Sequence, residues 1–272
     1  MKRYKKPYRL KRKKSIFRNR FFWLGTLAVL ILSFIFYFLF FSKIFQVKKI
    51  IIAGQEKVSS DDLKLLAESK LESKILFFST KSIFLVNLDI IKKDILNNFP
   101  QIAEVEIHRQ FPDGINISAA ERQGLAILCR ETDCFLLDKE GVIFDPVRNM
   151  ISNGVEEASL IKIIDHRNID HFVLAERVIE KELLSQIFEI QLKLQENLKI
   201  LITEASIMSE ERLNLKTQEG WEIYFNLKGD LDWQITELSL VLEKQIPPEK
   251  RGNLEYIDLR FTRVFIQYNR QK

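Results

Sequence analysis

Asn98-Phe99-Pro100-Gln101-Ile102-Ala103-Glu104-Val105-Glu106-Ile107-His108-Arg109-Gln110-Phe111-Pro112-Asp113-Gly114-Ile115-Asn116-Ile117 packs a helix stop, a strand, a turn and a second strand into one short segment. Pro100 cannot continue a helix arriving at Phe99, because it has no N–H to donate and its ring clashes with the preceding turn. Val105 and Ile107 alternate with Glu106 and His108, and Ile115 and Ile117 alternate with Asn116 and Ser118. That period of two marks half-buried strands. Between them, Phe111-Pro112-Asp113-Gly114 is turn chemistry, with Pro fixing φ and Gly able to take φ > 0.

Upstream of this segment, Leu88, Ile91, Ile95 and Phe99 recur at helical spacing behind Asn87, an N-cap candidate. An earlier helix starts at Val58-Ser59-Ser60-Asp61-Asp62. Ser59 and Asp62 fit a capping box, acids suit the positive end of the helix dipole, and Leu63, Leu66, Ala67 and Leu71 share one face. Gln46 to Ala53 is rich in β-branched residues, ends at Gly54 and reads as a strand. The order β-α-α-β-β predicts a small α+β domain over residues 46–122.

Farther upstream the composition changes. Residues 1–20 hold eleven of the 42 Lys and Arg and none of the 37 acids, leaving 31 bases against 37 acids, net −6, in the rest. Phe21 to Phe41 carries no charge and is interrupted only by Gly25, Thr26 and Ser33. At roughly 1.5 Å per residue it spans a hydrocarbon core of about 30 Å. A cleaved signal peptide has a shorter apolar region that ends in small residues, and Ser42-Lys43-Ile44-Phe45 offers no such site. The Lys/Arg-rich flank stays inside. These features predict a cytoplasmic tail (1–20), one transmembrane helix (21–41) and an extracytoplasmic remainder in the cytoplasmic membrane. The tail then serves topology and attraction to anionic lipid, worth about 1 kcal/mol per base, rather than nucleic-acid binding.

From Leu125 onward the pattern is mostly β. Leu125–Leu128 and Cys134–Leu137 flank a polar tip, and Phe135 to Phe144 reads as a hairpin turning at Lys139-Glu140-Gly141. Ile179, Leu183, Ile187, Leu194 and Leu198 mark an amphipathic helix. Strands follow at Ile200–Thr203, Arg212–Lys216 and Trp221–Leu227, then a helix carrying Ile235, Leu238, Val241 and Leu242, then a closing strand from Tyr256 to Tyr268. Residues 123–272 are expected to form a mostly antiparallel β domain with two or more helices. Residues 145–178 read as polar loop.

No catalytic constellation is visible. There is no Gly-rich phosphate loop and no Gly-x-Ser-x-Gly elbow. His108 lies on the polar face of a strand. His166 and His171 flank Arg167 in Asp165-His166-Arg167-Asn168-Ile169-Asp170-His171, whose spacing suits a surface loop better than three or four ligands converging on a metal. Glu156-Glu157 and Glu210-Glu211 read as solvated. No cofactor or metal is expected. Cys129 and Cys134 bracket the hairpin tip at opposed strand positions, in a domain whose export permits a disulfide. The disulfide is the preferred reading, and two free thiols are the alternative.

The quoted segment, continued to Glu121-Arg122, resembles the second half of a POTRA domain, in particular that of the FtsQ/DivIB cell-division family. Leu137-Asp138-Lys139-Glu140-Gly141-Val142-Ile143 resembles that family's "LVD..G" hairpin, and Tyr256-Ile257-Asp258-Leu259-Arg260-Phe261 its C-terminal "YVDLRF" strand. The order of basic tail, single span and following strand is similar too. Gln123-Gly124 departs from the Pro that commonly follows Glu-Arg.

The resemblance implies a non-enzymatic scaffold at the division septum. Such a scaffold binds FtsB/DivIC-like and FtsL-like small membrane proteins and helps recruit or regulate the septal peptidoglycan synthase complex. It maps the partner surface onto Arg260, Phe261, Thr262, Arg263, Val264, Phe265 and Ile266. Consecutive apolar residues Val264-Phe265-Ile266 in a final, edge-forming strand point the same way, with Arg260 and Arg263 as rim charges for acidic partners. A membrane-anchored cell-wall enzyme would need the missing constellation. A POTRA-bearing transport component would need the alternating strands of a membrane barrel.

Overall fold

The computed structural model describes residues 20–75, 78–130, 133–147, 160–167 and 172–269. The basic tail, Glu156-Glu157 and His171 lie outside the described residues. The fold is α+β. Two compact units are distinguished. One holds the described residues up to Ala53 with Asp61–Lys92 and Glu106–Ser118; the other holds Gly54–Ser60, Lys93–Val105 and the described residues from Ala119 onward.

The first described element is α1 (Arg20–Phe41), 22 residues with mean hydropathy 2.5, long and apolar enough to cross a membrane. Three strands form the first sheet, β1 (Lys49–Ala53), β4 (Ile102–Gln110) and β5 (Gly114–Glu121), in the order β1-β5-β4. β1 runs parallel to β5, with Lys49 opposite Gly114 and Ala53 opposite Ser118. The first strand is shorter than expected: Gln46 makes only an isolated bridge, to Ser82, and regular pairing starts at Lys49.

Helices α2 (Ser60–Ser69) and α3 (Leu88–Asn98) bury Leu63 and Ala67, and Ile91 and Ile95. The Asn87 side chain accepts from the N–H groups of Asp89 and Ile90, the capping its position suggests. Between the helices the structure adds an element that the pattern did not reveal, a hairpin of β2 (Ser73–Ile75) and β3 (Phe78–Thr80). Its three-residue strands are too short to show a period.

The second sheet has nine strands in the order β14-β13-β12-β11-β10-β9-β6-β7-β8. These are β6 (Ala126–Arg130), β7 (Asp133–Leu137), β8 (Ile143–Pro146), β9 (Ile161–Asp165), β10 (Ile202–Ile207), β11 (Arg212–Thr217), β12 (Glu222–Asn226), β13 (Leu254–Asp258) and β14 (Phe265–Tyr268). Neighbours are mostly antiparallel, but β6/β9, β9/β10 and β12/β13 are parallel. Helices α4 (Lys181–Leu198) and α5 (Leu231–Lys244) add Leu184, Ile187, Ile190, Ile235, Leu238 and Leu242 to one core with Ile163, Leu215, Ile223 and Phe225 of the sheet. One face of the sheet is therefore covered by helices.

Two expectations are corrected here. Residues 145–178 are not all loop, because β9 lies inside the sheet between β6 and β10. Asp165, read as part of a surface loop, is the buried last residue of that strand, and Arg167 clamps it with Nε and Nη2. The segment from Tyr256 to Tyr268 is likewise not one strand but an antiparallel hairpin of β13 and β14.

Cys129 and Cys134 stand directly opposite in the β6/β7 register and are joined by a disulfide, with Cα atoms 4.1 Å apart. In protein purified without reductant, neither cysteine should react with a thiol reagent until a reductant is added. Because the closed loop is short, reduction should cost only about 2 kcal/mol. Quantitative labelling of the native, unreduced chain would show that the bridge does not form in solution.

Candidate functional site

The hairpin of β13 and β14 is shaped by one carboxylate. Asp258, the buried last residue of β13, accepts from Arg260 Nε at 2.8 Å and Nη2 at 2.6 Å, and from the Arg260 backbone N–H at 3.1 Å. This two-pronged grip matches guanidinium geometry and is stronger than a neutral hydrogen bond. It turns the chain outward, while Leu259 stays buried in the core and donates its N–H to the Tyr224 carbonyl. The hydrogen bonds that Arg260 donates to Asp258 outweigh burial and raise the Arg260 pKa above the ordinary arginine value. The expectation that Arg260 offers its charge to a partner is thus revised. That charge is already matched by Asp258, and Arg263 is the exposed cation of the segment.

A row of rings lies on the sheet face opposite the helices. Tyr224 on β12 and Tyr256 on β13 stack with centroids 4.8 Å apart. Arg212 and Arg260 place their guanidinium carbons 4.8 and 5.6 Å from the Tyr224 ring centre. Burial, helped by the Glu222 carboxylate, pushes the Tyr224 phenol up to about 12. Arg260 also covers the Phe261 ring at 5.3 Å, and Phe261 meets Phe265 edge-on at 5.6 Å. These two phenylalanines remain more than half exposed, at 53% and 54%.

The consecutive apolar run puts apolar side chains on both faces of the chain here. Val264 and Ile266 pack against the core, so Phe265 alone of the three points away from it. Thr262 is exposed in the bend.

The two ends of the nine-stranded sheet are treated differently. At β8 the Ile143 N–H donates to Glu176, the Ala175 N–H donates to Ile143, and Pro146 closes the strand. That edge is covered. β14 pairs only with β13 among the described residues, and Phe265-Ile266-Gln267-Tyr268 contains neither a charge nor a proline. Such an edge offers main-chain N–H and C=O groups to an added strand, although the Tyr268 carbonyl accepts Gln267 Nε2 at 3.1 Å.

Residues 45–122 match the family described as POTRA domain, FtsQ-type, and residues 126–260 match that described as Cell division protein FtsQ/DivIB, C-terminal. The chain belongs to the FtsQ/DivIB family. Cell division protein DivIB of Clostridium tetani is 23% identical over 236 residues, 86% of this chain and 83% of that protein. DivIB of Clostridium acetobutylicum is 24% identical over 217 residues, 80% of each chain. Cell division protein FtsQ of Rickettsia bellii is 34% identical over a shorter stretch, 36% of this chain and 33% of that protein. This FtsQ/DivIB protein acts in cell division.

The remaining candidate residues do not converge. No group of three or more His, Cys, Asp or Glu is placed to hold a metal ion among the described residues. His108 is exposed, 3.7 Å from Glu106, and His166 is exposed beyond β9. Glu211 pairs with Lys228 at 2.8 Å. Sequence reasoning missed the ring row of this FtsQ/DivIB chain, although a signal was present. Since Trp221, Ile223, Phe225 and Leu227 share the core face, Tyr224 between them had to lie on the other.

Proposed function

We propose that this chain is a non-enzymatic scaffold of the division septum that binds FtsB/DivIC-like and FtsL-like membrane proteins outside the cytoplasmic membrane. In that role it helps recruit or regulate septal peptidoglycan synthesis. The proposed organisation is a cytoplasmic basic tail (1–20), a membrane span (21–41), a POTRA domain (46–122) and a C-terminal β domain (123–272).

The observation that carries the reading is the uncharged edge strand β14, uncovered among the described residues, beside two exposed aromatic rings. A partner segment adds as the next strand. Main-chain hydrogen bonds supply affinity, and Phe261 and Phe265 select side chains on one flank. Arg263 favours an acidic residue at the rim and speeds encounter more than it tightens the complex.

Buried aromatic anchors are worth about 2 kcal/mol or more each at interfaces. Replacing Phe261 or Phe265 alone with Ala should therefore weaken binding of the purified small division partners by about 30-fold, and replacing both should weaken it further, up to about 1,000-fold if the two rings act independently. Circular dichroism should be unchanged, because both rings are half-exposed in the free protein. A folded double variant that binds as tightly as the parent would place the partner site elsewhere.

A further inference from the structure

α1 does not end in a free linker. A helix leaves its last carbonyls without partners, and here four of them are taken up. Phe38 O accepts the Ser42 N–H, Leu39 O accepts Ser82 Oγ at 3.2 Å, Phe40 O accepts Thr80 Oγ1 at 2.6 Å, and Phe41 O accepts Gln46 Nε2 at 3.4 Å. Thr80 and Ser82 are buried. The connection that follows is bonded as well, with the Val47 N–H on Lys81 O and the Ile83 N–H on Phe45 O. The end of the helix and this end of the first unit are fastened together, so the level at which α1 leaves a bilayer is also the level of the residues around it.

Those residues are apolar. Phe41 meets Phe78 at 5.9 Å, Phe38 meets Phe45 at 5.7 Å, Phe45 meets Phe84 at 5.3 Å, and Phe84 meets Phe111 at 5.5 Å. The cluster is continuous from the helix into the folded unit. Its outer members are open, with Phe78 65% and Phe111 59% exposed. A contiguous open aromatic patch on a soluble surface marks an interaction site. Exposed Lys43, Lys48 and Lys81 come from the same connection and loops. Apolar rings beside flexible ammonium groups suit a surface with an acyl interior and anionic headgroups.

We propose that this end of the first unit is a membrane-docking surface. Phe78, Phe84 and Phe111 enter the headgroup–acyl boundary of the leaflet through which α1 leaves, and Lys43, Lys48 and Lys81 lie at the level of anionic phosphates. The inference rests on α1 being a membrane span. Docking at several points around the helix exit restricts how far the unit can tilt on the membrane.

The test uses the full chain in vesicles of phosphatidylcholine and phosphatidylglycerol. The only two cysteines are consumed by a disulfide, so a nitroxide can be placed singly through Phe78→Cys, Phe111→Cys, Leu30→Cys in α1 or Ala53→Cys. Ala53 ends β1, six residues beyond Val47, which is about 20 Å along an extended strand. Docking predicts that collisions with oxygen exceed those with a water-soluble nickel chelate at 78 and 111, as at 30, and that the order reverses at 53. If 30 is in lipid but 78 and 111 behave like 53, docking is wrong while the span stands. If 30 itself is aqueous, the span reading fails and docking fails with it. Labels at 78 and 111 shielded from both reagents would mean that protein, not lipid, covers the patch, which also overturns the proposal.

Discussion

Arg122→Ala is expected to destabilise the second unit by about 3–5 kcal/mol, the range found when one member of a buried ion pair is removed. Arg122 Nη1 donates to Asp138 Oδ2, Nε donates to the Pro100 carbonyl at 3.1 Å, and both charged side chains are almost wholly buried. The other Asp138 oxygen accepts the N–H groups of Glu140 and Val142, each at 2.9 Å, and so holds the tight turn into β8. Gly141 in that turn has φ of +77°, and a Cβ there would strike the Ile179 carbonyl. Removing the guanidinium leaves the buried Asp138 carboxylate without its cation, and leaves the Pro100 carbonyl without its donor. Arg122→Lys should recover only part of the loss, because an ammonium cannot make the planar fork. Urea denaturation of the full chain in detergent measures the effect. A cost below about 1 kcal/mol would mean that solvent reaches the pair.

This clamp joins two motifs that the sequence displays separately, Glu121-Arg122 and the Leu137–Ile143 hairpin. Nothing in the linear pattern says that they touch. The same holds for Glu121, whose Oε1 accepts the N–H groups of Glu56, Lys57 and Val58 at 2.8 Å from more than sixty residues away. Burial there disfavours the charge, yet the three donors and the nearby Lys57 outweigh it and hold the carboxyl below its ordinary range. Local signals behaved well at the Asn87 cap and in the Trp221–Leu227 alternation, whereas the turn before β5 forms without a positive φ at Gly114, which is already the first residue of that strand. The β13–β14 bend had no such signal. Phe261-Thr262-Arg263 holds no turn former, and the bend follows the grip of Asp258 on Arg260. The final strand's place at a sheet edge was legible from chain order, whereas the covering of the β8 edge by residues 175–177 was not.

β9 is the sharpest case of an element hidden in the linear sequence. Ile161-Lys162-Ile163-Ile164-Asp165 is only five residues long, and it lies in a region whose polar flanks dominate any averaged pattern. It nevertheless pairs parallel with β6 on one side and β10 on the other, with Ile163 opposite Leu128 and Ala205. Ile163 is fully buried in the helix-covered core, while its neighbour Lys162 is exposed on the other face, 3.7 Å from Glu204. Ile163→Asp buries an unpaired charge, which the fold must neutralise or expel, and removes a core side chain at the same time. The combined cost should exceed 5 kcal/mol, comparable to the whole stability of a domain, and unfold the second unit. Lys162→Ala removes only a surface pair and should change stability by less than about 1 kcal/mol. The two substitutions sit side by side, so their contrast reads the strand's register directly. Thermal unfolding followed by circular dichroism on both variants supplies the measurement. If Ile163→Asp melts with the parent chain, residue 163 does not face the core and the parallel β6-β9-β10 pairing is wrong. If Lys162→Ala is the damaging change, the strand is present but slipped by one residue, which turns every side chain to the opposite face.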